Sequence, residues 1–267
     1  MTKARVLLCT SGGICATLSL QALLAIDEVA VAGVFLSTRA RTKNGSFTGD
    51  VLRIIRTSGL SYASYLAMGT TIFDCFRLPG TLPTVNKLAK LHKIPFFCSN
   101  DINSTDSHTW LSKQFPDILL SSFFNLKLSP ATIAIPSQTA INLHPALLPA
   151  YKGVDPVFYY FSNNENIFGV SLHKIAEEFD TGEIIAQKSM SKNPDKSVFW
   201  HNIELFRHGL ELFHAWISSP SPATNIENTD INDQYDSWPS PDQVKKLGHP
   251  LYSFSDFLEQ SRRPFGL

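Results

Sequence analysis

The chain has 267 residues, 43% hydrophobic and 17% charged, with 23 basic and 23 acidic side chains. That length and apolar content suffice for a full core in one large or two small globular domains and do not fit a disordered chain. Zero formal net charge gives no global electrostatic reason for a polyanionic partner such as DNA or RNA. The four cysteines, Cys9, Cys15, Cys75 and Cys98, form no C-x-x-C pair and have no zinc-ligand spacing, so no metal is expected. The N-terminus lacks a secretory pattern and no apolar run reaches roughly 18 residues, so a cytoplasmic protein outside the membrane is expected.

The elements alternate along the chain. Residues 5–13, RVLLCTSGG, are an apolar run that stops at a glycine pair, and ICATLSLQALLA follows with helical spacing. VAVAGVFLS (29–37) reads as the next strand, giving the strand, glycine turn, helix and strand of a parallel sheet with helical crossovers. Residues 38–88 open polar and turn-rich and continue with helical stretches interrupted by Gly59 and Gly69, a variable helical excursion. Alternation resumes with LPTVNKLAKLHK (helix), IPFFCS (strand), DSHTWLSKQF (helix) and PDILLSS (strand). SPATIAIP is a short helix or turn, TAINLHP a strand, DPVFYYFSNN a helix, and GVSLHKI and GEIIAQKSMS are strands. Those last two, joined by AEEFDTG, predict an antiparallel hairpin with a longer loop. Residues 195–218 form a long amphipathic helix, after which Pro, Ser, Asn and Asp dominate as in a linker or extended arm. The predicted class is α/β: a mostly parallel twisted sheet flanked by helices, then an antiparallel hairpin, a long helix and an extended tail.

Three places carry residue types that chemistry uses. Gly12 and Gly13 follow the first strand; they serve either a tight turn with positive φ or a backbone approach to an anionic end of a substrate at a helix N-terminus. Asn142 and His144 stand at i and i+2 on one strand, so they share a face, and Pro145 and Pro149 end the strand behind them. In open α/β sheets that end of a strand borders the ligand crevice. Asp180 lies in the hairpin turn EEFDTGEII, where aspartate is ordinary turn chemistry unless the turn folds over His144. A carboxylate, an imidazole and an amide together suit acyl-group transfer: proton movement, charge stabilisation and donation to an oxyanion.

Residues 141–190, INLHPALLPAYKG through GVSLHKIAEEFDTGEIIAQKSM, closely resemble the core of the folate-dependent formyltransferase family, which includes methionyl-tRNA, glycinamide ribonucleotide and sugar N-formyltransferases. Four separated pieces occur in order: Asn-x-His followed by leucine-leucine-proline, a glycine, a Gly-Val-Ser strand and an Asp-Thr-Gly turn. The resemblance implies a Rossmann-like formyltransferase fold over 1–218, with residues 219–267 as linker and short extension. It implies 10-formyltetrahydrofolate as donor and carries the family's catalytic triad onto Asn142, His144 and Asp180. It also implies a folate site between the loop bearing Phe124, Asn125 and Leu126 and the backbone of Glu177, Glu178 and Phe179.

Departures from the family narrow the acceptor. Methionyl-tRNA members carry a basic C-terminal barrel, for which about 50 residues after the long helix leave no room, and this argues against a tRNA acceptor. The asparagine of the glycinamide ribonucleotide phosphate loop is missing from TSGGICATL, and the family's hydrolases carry an N-terminal regulatory domain. The expectation is a small-molecule amine acceptor, such as an amino sugar nucleotide or a metabolic intermediate. A formyltetrahydrofolate hydrolase, a methionyl-tRNA-type enzyme without the barrel and a non-catalytic binding module are the alternatives. The apolar helix 197–217 and the aromatic-proline tail suit either a homodimer interface or wrapping of the domain, and the short segments holding Trp238 and Tyr252 favour wrapping.

Overall fold

The computed structural model describes residues 2–38, 47–75, 78–219 and 235–266. The turn-rich stretch after Thr38 falls largely outside the described residues, as does the polar tail over 220–234. The chain runs β1 (Ala4–Thr10), α1 (Gly13–Ala25), β2 (Val29–Ser37), α2 (Phe47–Ser58) and α3 (Leu60–Ala67). A π-helical turn (Met68–Ile72) leads into α4 (Phe73–Cys75), followed by α5 (Val85–Leu91), β3 (Phe96–Ser99), α6 (Thr105–Lys113), β4 (Ile118–Ser122), α7 (Pro130–Ile133) and β5 (Thr139–His144). Then come β6 (Lys152–Gly153), α8 (Pro156–Ser162), β7 (Ile167–Lys174), β8 (Ile184–Ser191), α9 (Val198–Ser218), β9 (Tyr235–Asp236), α10 (Pro241–Lys246) and α11 (Phe254–Arg262).

Seven strands form one sheet in the order β3-β2-β1-β4-β5-β7-β8. The first five are parallel; β7 runs antiparallel to β5, and β8 antiparallel to β7. This matches the α/β architecture predicted from the strand and helix alternation. Successive residues of β1 feed opposite faces, Val6 and Leu8 joining one apolar cluster and Leu7 and Cys9 the other, as the two-residue strand period requires. Helix α1 is apolar around its circumference because it lies between the sheet and helices α5 and α9. Helix α9 lays Phe206, Leu210 and Phe213 over β5, β7 and β8. Helices α5, α6, α7 and α9 start at hydroxyls, Thr84, Ser104, Ser129 and Ser197, each accepting a backbone N–H of the first turn; such caps contribute about 1 kcal/mol each. No helix among the described residues is long and apolar enough to cross a membrane.

The segment read as a tail returns to the body, where Leu251 and Phe257 join the core and charged groups fix its position. Glu204 and Arg207 of α9 are both buried. Arg207 donates to Gln260 Oε1 (3.3 Å) and to the carbonyls of Arg263 (2.6 Å) and Pro264 (2.9 Å), while Glu204 accepts from Gln260 and Arg263, both at 2.6 Å. At the other end of α11, Asp256 accepts from the Ser197 amide (2.9 Å) and hydroxyl (2.6 Å), and Lys196 reaches Asp256 and Glu259. Phe257 is buried between them. Burial pushes the Arg207 guanidinium down to about 10, against the pull of Glu204, so it stays charged at neutral pH and depends on these acceptors.

Two stability predictions follow from the buried polar groups. Arg207→Met leaves Gln260 Oε1 and the carbonyls of Arg263 and Pro264 short of a donor and removes the guanidinium 3.6 Å from Glu204. It is expected to cost about 3 kcal/mol, read as a lower urea midpoint with unchanged slope; a midpoint within error of the parent would refute the clamp. Burial also pushes His173 and His201 down to about 4. His201 Nδ1–H donates to the Ser197 carbonyl and Nε2 accepts the Asn193 amide, so the neutral ring is the one the fold holds. Both groups are neutral in folded and unfolded chains above pH 6.5; below it the unfolded chain takes up protons first. Stability should therefore fall as pH drops from 6.5 to about 4. Urea titrations at several pH values would show this slope, and a flat profile would contradict neutral burial.

Candidate active site

The end of β5 brings the polar groups in. Ile141 and Leu143 point into the apolar core while Asn142 and His144 share the opposite face. In the antiparallel pairing with β7, Asn142 lies opposite His173 and His144 opposite Ser171. Asp180 sits in the turn between β7 and β8 with φ of 56°, a left-handed conformation that aspartate tolerates better than most residues. The turn folds back over β5: Asp180 Oδ1 is 3.4 Å from His144 Nδ1 and 3.9 Å from His173 Nε2. Its Oδ2 accepts the Gly153 amide at 3.1 Å. His144 is 5% exposed and His173 2%, so the cluster works out of bulk water.

Hydrogen-bond direction follows from the groups that can act in only one way. The Lys174 carbonyl can only accept, so His173 Nδ1–H donates to it (2.8 Å) and His173 Nε2 accepts from Asn142 Nδ2 (3.1 Å). Asn142 Oδ1 accepts the Ser121 hydroxyl at 2.8 Å. The amide is thereby oriented, and its second N–H remains to donate to a reacting oxygen. Burial, reinforced by the nearby His144, pushes His173 down to about 4, which keeps it an acceptor for Asn142. His144 Nε2–H donates to the Tyr151 carbonyl at 3.0 Å. Its Nδ1 then faces the carboxylate, a contact that is attractive when the ring carries its second proton.

The other residues singled out from sequence lie around this cluster in different ways. Leu126 is buried, and Phe124 packs edge-on to Phe35 at 6.0 Å in the same apolar cluster. Asn125 is tied to the ends of β1 and β2: its amide donates to Ser11 Oγ (3.2 Å) and its side chain accepts the Ser37 hydroxyl (2.7 Å). Glu177 is exposed. Glu178 pairs with Lys127 at 3.3 Å, and the Lys127 ammonium stands 5.6 Å over the Phe179 ring, so the 123–128 and 175–183 loops touch. Gly12 and Gly13 adopt φ of 88° and 76°. The Gly13 amide donates to Asp74 Oδ2 at 3.1 Å, and a Cβ there would meet the Gly69 carbonyl oxygen at 2.0 Å. The turn reading describes this pair; the anion at the start of α1 is the chain's own carboxylate.

Sequence reasoning passed over His173, Ser121 and Tyr151. His173 had a signal: Val170 and Leu172 mark one face of β7, leaving Ser171 and His173 on the other, toward the face that carries Asn142. Tyr151 acts through its backbone and had none. Beside Asp180 a cleft of about 410 Å³ is lined by Lys152, Glu178, Phe179, Thr181 and Tyr235. Phe179 and Tyr235 are each 46% exposed, with centroids 6.2 Å apart. Tyr235 arrives from β9, which pairs with β6.

Comparison with known proteins agrees with this geometry. Residues 85–199 match the formyl transferase family. Over 119 residues, 43% of this chain, the sequence is 36% identical to the bifunctional polymyxin resistance protein ArnA of Wigglesworthia glossinidia brevipalpis, of which it covers 18%. Over 110 residues, 41% of this chain, it is 31% identical to the methionyl-tRNA formyltransferase of Thermotoga sp. (strain RQ2), of which it covers 35%. The matched part thus spans about a third or less of these relatives. The fold is similar to the N-formyltransferase from Helicobacter canadensis, solved with folinic acid and dTDP-3-aminofucose, with a TM-score of 0.54 at 18% identity, covering 88% of this chain and 71% of that one. Over residues 85–199 the chain is thus similar to formyl transferases in sequence, and its fold is similar to that of an N-formyltransferase.

Proposed function

We propose that this chain transfers a formyl group from 10-formyltetrahydrofolate to the amine of a small molecule. The observation that carries the reading is the meeting of Asn142, His144 and Asp180, the last 36 residues beyond His144, with His144 Nδ1 3.4 Å from the carboxylate. The acceptor amine attacks the formyl carbon, and the carbonyl oxygen becomes an oxyanion. Asn142, with one N–H held by His173 and the other available, stabilises that charge, with the His144 imidazole beside it; such a donor is worth about 3–4 kcal/mol. Asp180 takes the proton that the amine sheds as the C–N bond forms. When the intermediate collapses, the bond to the folate nitrogen breaks and a proton is delivered to that nitrogen.

The donor suits the chemistry around the cluster. Phe124 and Leu126 supply apolar surface, and the backbone of Glu177, Glu178 and Phe179 supplies polar edges for a pterin. The cleft lined by Lys152, Phe179 and Tyr235 is the acceptor's approach, since Phe179 and Thr181 flank Asp180 in sequence. A similarly folded N-formyltransferase solved with folinic acid and an aminosugar nucleotide supports both assignments. A methionyl-tRNA relative over the same segment favours charged tRNA as the second acceptor to assay.

His144→Ala and Asp180→Ala are each expected to lower single-turnover formyl transfer at least about a hundredfold, and Asn142→Ala about a hundred- to a thousandfold, with the folded baseline retained by circular dichroism. Near-parental rates in any of the three would sink the assignment. Folinic acid, a stable folate, should raise the melting temperature of the parent protein; at a hundred times its Kd the gain is about 2.7 kcal/mol. Dihydroxyacetone phosphate, lacking a pterin, is the control, and equal shifts with both would argue against a folate site.

A further inference from the structure

The loop that follows β5 touches the His144–Asp180 pair from both sides. The Tyr151 carbonyl takes His144 Nε2–H, and the Gly153 amide donates to Asp180 Oδ2. Tyr151 holds φ of 56°, a conformation that a bulky residue adopts only when its surroundings over-determine it. Its own side chain supplies that restraint. The phenol donates to Glu165 Oε1 at 2.8 Å, accepts from Asn163 Nδ2 at 3.2 Å, and lies over the Tyr160 ring with centroids 4.3 Å apart. Tyr160 in turn accepts the Leu147 amide at 2.9 Å, so both ends of the 145–151 loop are anchored to one aromatic pair. On the other flank, Asp236 accepts the Val154 amide at 3.0 Å.

We propose that Tyr151 is a positioning residue for His144: its side chain locks a left-handed backbone whose carbonyl binds Nε2–H and so presents Nδ1 to Asp180. With the carbonyl in place, the ring can exchange a proton only at Nδ1, on the Asp180 side. Without the lock, the ring can adopt the other tautomer and Asp180 loses its fixed partner. The charged and titratable groups around the imidazole are Asp180 and His173, and those around the phenol are Glu165, Asp236 and Tyr160. Burial pushes the phenol up to about 12, so it remains a donor to Glu165 through the neutral range. The inference rests on the proposed transfer reaction for its purpose but not for its geometry.

The test is nitrogen-15 imidazole NMR of the full chain, with the His144 signals assigned by their loss in His144→Ala. The parent protein should show His144 protonated at Nε2 across pH 6–8. Tyr151→Phe keeps the ring on Tyr160 and removes the bond to Glu165; Glu165→Ala removes the acceptor and leaves Tyr151 untouched. Both are expected to move the His144 nitrogen shifts toward a tautomer mixture, lower kcat roughly tenfold with the folate KM unchanged, and displace the limb of the kcat–pH profile. Glu165→Gln, which keeps an acceptor oxygen, should restore parental behaviour. Unmoved His144 shifts in both variants, or a parent ring protonated only at Nδ1, would overturn the proposal even where stability drops. Absence of formyl transfer in the parent would count against the proposed function, while the NMR result still decides this one.

Discussion

The antiparallel register of β5 against β7 sets Asn142 opposite His173, and the polar arrangement at the sheet's end depends on that pairing. A one-residue slip would turn His173 into the apolar side and bring Leu172 against Asn142. In the observed register His173 takes one amide hydrogen, Ser121 supplies the carbonyl's partner, and the amide can face only one way. The same reversal of direction starts the hairpin whose turn carries Asp180 back to His144. The buried Asn142 and His173 are tolerated here because Ser121, the Lys174 carbonyl and each other supply partners of the correct sense, whereas a half-satisfied cluster would cost several kcal/mol.

Much of the fold was legible because the sheet is buried on both faces. Continuous apolar runs such as those at 6–9 and 118–120 mark central strands, and glycine, proline and capping hydroxyls punctuate them. Asn142 and His144 stood out as polar residues facing one way on an otherwise apolar strand. Asp180 could be tied to them only through the family resemblance, since nothing in a turn sequence says where the turn folds. Tyr151 was out of reach for a different reason: what it offers His144 is a peptide carbonyl, which every residue has. Gly12 and Gly13 show the limit of a local pattern, because the group that meets their amide, Asp74, comes from a helix 61 residues on.

The C-terminal part illustrates how composition and packing diverge. Pro-, Ser- and Asn-rich sequence reads as linker, yet Asp256, Phe257 and Gln260 are buried against α9. Leu251 and Phe257 are buried in the core and Leu258 and Phe265 pack against it, while ion pairs and hydrogen bonds to carbonyls demand exact partners where hydrophobic packing alone would tolerate several. Trp238 follows the same logic at a smaller scale, seating its ring 6.0 Å from Tyr62 just after the segment that borders the cleft.

The pairing of Lys152–Gly153 with Tyr235–Asp236 joins segments more than 80 residues apart, and Gly153 is the residue whose amide holds Asp180. A Cβ at Gly153 would lie 2.0 Å from the Asp236 carbonyl oxygen, so the two backbones meet with no room for an intervening side chain. During synthesis, Asn142, His144 and Asp180 leave the ribosome well before Tyr235 does. A nascent chain that has folded its sheet therefore still lacks one wall of the cleft and one support of the carboxylate's partner. That wall is completed only once Tyr235 and Asp236 have emerged and docked, an order of assembly imposed by contact separation alone.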